Sequence, residues 1–150
     1  MVNLWGSSRS MTTSGDCLCG CISFAVELPV KWVAHCHCTK CRRAHGAAFV
    51  TWVSVPDTGV MITDPESLLR WFVSSANGQR GFCSRCGSTL FFRSTEWPGE
   101  IHIARANFSA DVDCRPQSHG YYDTHVDWVT IDDDLPKTFD PNAPKIAGVG

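Results

Sequence analysis

Apolar residues fall at every second position through Ile22, Phe24, Val26 and Leu28, the period of a strand with one buried face. Residues 47–55 are almost wholly apolar or β-branched, 70–74 and 88–93 are short and aromatic-rich, and Ile101 and Ile103 alternate within 100–105. Each run predicts a strand. Helical spacing is scarce by comparison. Asp64-Pro65-Glu66 fits one short turn with Pro65 at its first helical position, and residues 42–45 fit another. The pattern predicts an all-β domain with small loops and at most short helical turns. Polar, small side chains at Ser7, Ser8, Ser10, Thr12, Thr13 and Ser14 mark residues 1–14 as a flexible lead-in. Pro136, Pro141 and Pro144 break up the other end. The folded unit is expected over residues 15–139, with a tail over 140–150; a chain of 150 residues suits a single core.

Composition narrows the functional class. With 43% hydrophobic, 11% aromatic and 19% charged residues, the chain has the makeup of a folded globule. A net charge of -2 and a pI near 6.3 provide no basic field for phosphate backbones or anionic lipid. No stretch approaches the roughly 20 apolar residues of a membrane helix, and the first 15 residues hold no apolar signal core. A cytoplasmic location is the expectation. In that reducing compartment, nine cysteines at CxC and CxxC spacings point to metal rather than to a disulfide framework.

The cysteines fall into three groups. Cys17 and Cys19 stand two apart beside the first predicted strand, where positions i and i+2 share a face. Cys83-Ser84-Arg85-Cys86-Gly87 has the spacing of a zinc knuckle, its glycine relieving the tight turn. Joined, the two pairs supply a closed four-thiolate shell, the usual makeup of a structural zinc site. Between them, Cys36-His37-Cys38-Thr39-Lys40-Cys41 presents three sulfurs from one loop with no fourth cysteine near in sequence. Three ligands and a vacancy are what a catalytic zinc requires, and Lys40, Arg42 and Arg43 are placed to offset the thiolate charge or to hold an anionic substrate. The competing reading closes this site with His35, His37 or His45. Cys21 and Cys114 fit core or incidental thiols, His102 a core histidine or one that supports a metal ligand, and His119 and His125 a loop with Tyr121, Tyr122 and Asp123.

Read together, Gly15-x-Cys17-x-Cys19-Gly20, Cys36-His37-Cys38-x-x-Cys41-Arg42 and Phe82-Cys83-x-x-Cys86-Gly87-Ser88-x-Leu90 resemble the glutathione-dependent formaldehyde-activating enzyme family, which includes centromere protein V. His119, Tyr122, Trp128 and Asp134-Leu135-Pro136 resemble its C-terminal segment. The resemblance implies a small β-tent fold of the Mss4-like type, built of antiparallel sheets, with two zinc ions per chain and a central site that can be partly empty. Cys17, Cys19, Cys83 and Cys86 would hold the structural ion, and Cys36, Cys38 and Cys41 the catalytic one. It further implies a carbon–sulfur lyase that joins glutathione and formaldehyde, or a related thiol and small aldehyde, as S-(hydroxymethyl)glutathione synthase does. Cys21 departs from the family pattern. The alternative is a non-catalytic zinc module for protein or nucleic-acid interaction, against which stands the absence of a basic stripe.

Overall fold

The structure is a computed structural model that describes residues 11–140; Ser7, Ser8, Ser10, Pro141, Pro144 and most of the expected tail lie outside the described residues. The strands, in chain order, are β1 (Thr12–Asp16), β2 (Ser23–Glu27), β3 (Trp32–Cys36), β4 (Val50–Pro56), β5 (Val60–Thr63), β6 (Leu69–Val73), β7 (Gly78–Cys83), β8 (Thr89–Ser94), β9 (Glu100–Ala104) and β10 (His119–Gly120). Among the described residues one α-helix, α1 (Thr39–His45), interrupts them. They form a three-stranded sheet, ordered β1-β2-β5, and a seven-stranded sheet, ordered β10-β3-β4-β9-β8-β7-β6. Every pairing is antiparallel except β10 with β3.

Strand alternation divides the large sheet into two working faces. Val33, Val53, Ile103 and Phe91 stand opposite one another in register across β3, β4, β9 and β8, and all four are fully buried in one cluster with Phe24 and Val26 of the small sheet and Ile22 just before β2. Burying a side chain of this kind is worth about 1.5–3 kcal/mol. The next register row belongs to the opposite face, because the side-chain period of a strand is two. It reads Trp32, Ser54, His102, Phe92 and Arg80 across β3, β4, β9, β8 and β7. On that face a second, smaller cluster gathers Cys41, Val50, Trp52 and Ala104, with Cys36, Cys38, Trp32 and Phe92 packed against it.

Three expectations are corrected here. Residues 12–14, expected in a flexible lead-in, belong to a strand: β1 pairs with β2, and the buried Thr13 hydroxyl donates to the Asp111 carbonyl at 2.8 Å. Polar strand residues satisfied by such bonds leave no apolar signal. Asp64-Pro65-Glu66 forms a turn and not a helix, because the Asp64 carboxylate accepts from the backbone N–H groups of Leu68 and Leu69 at 2.8 and 2.9 Å, an aspartate turn that competes with helix. The helical turn expected over 42–45 starts earlier, at Thr39, because Cys38 acts as its N-cap: its Sγ accepts from the Cys41 N–H at 3.3 Å. Gly46 ends the helix in the left-handed conformation, φ 60°.

Candidate active site

Cys17 and Cys19 lie on the turn joining β1 to β2 and not on a strand. The Gly20 N–H donates to the Cys17 carbonyl at 2.9 Å, and the Gly87 N–H to the Cys83 carbonyl at 2.8 Å. Both glycines adopt positive φ, 77° and 78°, so each cysteine pair is closed by a residue that tolerates the left-handed region. Ser88 ties the two turns together, its Oγ accepting from the Leu18 N–H at 3.0 Å and lying 3.2 Å from the Cys86 Sγ. The four sulfurs of Cys17, Cys19, Cys83 and Cys86 lie within 4.8 Å of one another, with Cys17–Cys19 at 3.5 Å and Cys19–Cys83 at 3.8 Å. A zinc–sulfur bond of about 2.3 Å gives a tetrahedral sulfur–sulfur edge of about 3.8 Å. The set fits a four-coordinate zinc.

Cys36, at the end of β3, Cys38, at the cap of α1, and Cys41, within α1, bring three sulfurs within the same 4.8 Å. Among the described residues no histidine, aspartate or glutamate atom joins them at that distance. The donor set fits a zinc with one position left over. Two groups from the large sheet reach Cys41: the Trp52 indole N–H donates to its Sγ at 3.4 Å, and both terminal nitrogens of the Arg80 guanidinium lie 3.6 Å from it. Arg80 is buried, held also by a bond to the Ser74 hydroxyl at 3.2 Å and stacked over Phe92 at 5.0 Å. Within the trio, hydrogen bonds from Cys36 and then Cys41 push the Cys38 pKa down, helped by the Arg80 charge. Hydrogen bonding to Cys38 pushes Cys36 up. The three sulfurs form the floor of a cleft of about 1040 Å³ that Trp32, Lys40, Arg80, Trp97, His102 and Tyr121 also line.

The chain matches the family described as "Glutathione-dependent formaldehyde-activating enzyme" over residues 12–124. It belongs to that family. A Halomonas elongata protein provisionally named as such an enzyme is 28% identical over 129 residues, which span 81% of this chain and 82% of the relative. A Phaeosphaeria nodorum protein of the same provisional name is 37% identical over 83 residues, 53% of this chain and 44% of that one. An uncharacterized lyase of Schizosaccharomyces pombe is 30% identical over 86 residues, 54% of this chain and 57% of that one. The crystal structure of a Rhodobacter sphaeroides protein superposes with a TM-score of 0.56 at 20% identity, covering 67% of this chain and 91% of the other; at that identity the likeness concerns the fold. The mostly-β architecture with its cysteine clusters is the small Mss4-like fold of the formaldehyde-activating family.

The family's CHC triplet has a further anchor in this chain. His37, between two of the sulfur donors, has its Nε2 2.8 Å from His119 Nδ1, and His119 Nε2 lies 2.9 Å from both Asp133 oxygens. A carboxylate only accepts, so His119 carries its proton on Nε2 and accepts from His37 at Nδ1. That leaves His37 Nδ1 as a bare nitrogen, and it has no hydrogen-bond partner. Burial, together with the neighbouring His119, pushes the His37 pKa down to about 4. The backbone supports the same contact: the His37 N–H donates to the Gly120 carbonyl at 3.0 Å, and the Thr124 hydroxyl to the His37 carbonyl at 2.9 Å. The C-terminal segment thus straps the cysteine loop to β10. His35 Nδ1 is engaged with the Thr51 hydroxyl at 2.8 Å.

Of the cations expected beside the central cysteines, Lys40 lines the cleft, whereas Arg42 and Arg43, on the same helix, do not. Arg80 was not legible from the sequence, since only β7–β8 pairing carries it to Cys41, 39 positions away. His119 is buried on a strand and not in a solvated loop, because β10 pairs with β3 and Asp133 covers its outer nitrogen. His102 is buried, but on the cleft face of the large sheet, opposite the main core. Cys21 is not a core thiol: it is partly exposed and accepts from Arg85 at 3.0 Å, while Arg85 also pairs with Glu66 at 2.9 Å. Cys114 is partly buried against the main core. No helix of the described residues is long and apolar enough to cross a membrane.

Proposed function

We propose that this chain is a zinc-dependent enzyme of the carbon–sulfur lyase type that joins a low-molecular-weight thiol, glutathione foremost, to formaldehyde or a related small aldehyde. One observation carries the reading: of two cysteine clusters with zinc-like spacing, the four-sulfur set is closed, while the three-sulfur set lies open on the floor of a cleft. Family membership supports it, as does the family name. Cys36, Cys38 and Cys41 would hold the catalytic ion, and Cys17, Cys19, Cys83 and Cys86 the structural one. A zinc ion so held supplies a soft, electrophilic centre beside which a thiol loses its proton near neutral pH.

The chain's own residues then perform the rest. Arg80, desolvated against Cys41, opposes the negative charge that three thiolates and an incoming sulfur would accumulate. Trp52 donates to the Cys41 sulfur and fixes its orientation. Lys40, at the rim, offers an ammonium to a substrate carboxylate. In the addition, the carbon–sulfur bond forms as the carbonyl π pair moves to oxygen, which takes the proton the thiol gave up. Nothing is oxidised. The test combines metal analysis with nuclear magnetic resonance of glutathione and formaldehyde at exchange equilibrium. Two zinc ions per chain, calorimetric binding of glutathione, and faster interconversion of S-(hydroxymethyl)glutathione are expected. No glutathione heat at millimolar concentration and no acceleration would overturn the reading.

A further inference from the structure

Formaldehyde has a single carbon, and the cleft offers far more than that carbon can touch. From Cys41 a continuous aromatic path leaves the three-sulfur floor. Trp52, bonded to Cys41, lies 6.0 Å from Phe92, and Phe92 lies 5.7 Å from His102. His102 in turn is 4.7 Å from Trp32 and 5.5 Å from Trp97, and those two indoles are 5.5 Å apart. The backbone builds this path deliberately in one place, because Trp32, Ser54, His102 and Phe92 form a single register row across four strands. Trp97, from the turn between β8 and β9, closes its far end and remains 40% exposed.

Charge at this end of the cleft argues against a glutathione carboxylate as its occupant. Burial pushes the His102 pKa down to about 4, so its ring is neutral at physiological pH. Glu100 lies 3.6 Å from His102 Nε2 and is itself paired with Lys31 at 3.5 Å, and Glu96, which accepts from Asn77 at 3.4 Å, lines the same cleft. Of the cations that line the cleft, Arg80 lies 3.6 Å from the Cys41 sulfur and stacks over Phe92, where the row begins, and Lys40 lies on the helix that carries Cys41. Flat, neutral, aromatic walls beside a polar reaction centre suit a flat apolar group, held by offset and edge-to-face ring contacts.

We propose that the Trp32–Trp97–His102–Phe92 row binds an aryl group carried on the aldehyde carbon, so that the aldehyde this chain is built to take is aromatic rather than formaldehyde. The inference rests on the thiol–aldehyde reading above and names its substrate class. The thiol end stays at the three sulfurs, and the carbonyl carbon lies between them and the rings.

Two stable thioethers separate the possibilities without turnover: S-benzylglutathione, with a phenyl on the adduct carbon, and S-methylglutathione, with none. Calorimetry on the zinc-loaded full chain should show the benzyl conjugate binding at least about tenfold tighter. Trp97→Ala should bring the ratio to within about threefold, and Trp97→Phe should restore most of it, since a ring returns to the same wall. Equal affinities in the parent, or a ratio that Trp97→Ala leaves unchanged, would overturn the inference. Exchange of glutathione with formaldehyde and with benzaldehyde, measured in parallel, tells the two readings apart. Acceleration with formaldehyde but no benzyl preference removes only the aryl row. A benzyl preference that Trp97→Ala abolishes, with neither aldehyde accelerated, supports the row and removes the thiol–aldehyde chemistry.

Discussion

The two cysteine clusters use the same atoms at similar spacing, yet they are built in opposite ways. The four-sulfur set joins the β1–β2 turn to the end of β7 and the turn beyond it, across 64 positions of sequence from Cys19 to Cys83. Apart from the four sulfurs, the side-chain ties between its two glycine-closed turns among the described residues are the Ser88 hydroxyl on the Leu18 N–H and Arg85 on Cys21, so an ion held by both turns would be the main crosslink there. The three-sulfur set comes from six consecutive residues, 36–41, and is positioned by elements that are already folded: the cap of α1, the Trp52 indole, the Arg80 guanidinium and the His37–His119–Asp133 strap. A long-range crosslink contributes to stability because it closes a large loop. A local triad contributes little to the fold, and its geometry can be devoted to a ligand. The contrast between closed and open therefore coincides with a contrast between long-range and local.

The sharpest way to break this comparison is to remove one sulfur from each set. Cys83→Ala should cost about 3 kcal/mol or more, given roughly 10 kcal/mol for binding of a structural zinc, which lowers the melting temperature by about 10 °C in a chain of this size. Cys38→Ser should stay within about 1 kcal/mol of the parent, because serine is itself a good N-cap for α1. It should reduce the zinc count from two to one and abolish glutathione binding. Thermal denaturation with metal analysis on both variants checks the pair. If Cys38→Ser unfolds and Cys83→Ala does not, the two roles are reversed.

Chelation reads the same contrast without mutation. A titration with a strong zinc chelator should remove the central ion first, with far-ultraviolet circular dichroism unchanged, and the second only as the sheets unfold. Simultaneous loss of both ions and of structure would show that the open set also carries the fold.

What the sequence disclosed follows the same division. Both cysteine sets could be grouped from spacing alone, because CxC and CxxC bring sulfurs together over one turn. β2, β4, β6, β8 and β9 were visible in apolar runs. β7 was not: Gly78, Gln79, Arg80 and Gly81 carry no alternation, since Gly78 sits against the Phe92 ring and Gly81 against the Trp71 ring, leaving no room for a side chain. β1 was hidden by its hydroxyl residues, and β10 by having only two residues. Everything that depends on register stayed out of reach. Neither Arg80 beside Cys41 nor the row from Trp32 to Phe92 can be read from strand periodicity, which gives a face and not a partner.

Arg80 sharpens the comparison, because nothing like it touches the four-sulfur set among the described bonds to those sulfurs. Arg80→Met keeps an unbranched stem over Phe92 while removing the charge. It should lower kcat/KM for thiol addition, or glutathione affinity, by about 10- to 100-fold, the usual effect of deleting a partner of a metal ligand, with the structural zinc retained. Arg80→Lys should recover part of that loss. An Arg80→Met protein with parental kinetics would show the guanidinium to be a packing element only.

The smallest expected effect concerns the exposed cations on α1. Lys40 lines the cleft, whereas Arg43 lies on the same short helix outside the cleft wall. An exposed ion pair contributes about 0.2–1 kcal/mol, so Lys40→Ala should weaken glutathione binding by about two- to fivefold at low salt. The loss should shrink as ionic strength rises, because the Debye length falls from about 30 Å at 0.01 M to about 8 Å at 0.15 M. Arg43→Ala should change affinity by less than twofold at either salt. Calorimetric titration of glutathione at the two ionic strengths measures both variants. Equal losses for the two would mean that the helix acts through its overall charge, and that the position of Lys40 at the cleft rim gives it no particular hold on a substrate carboxylate.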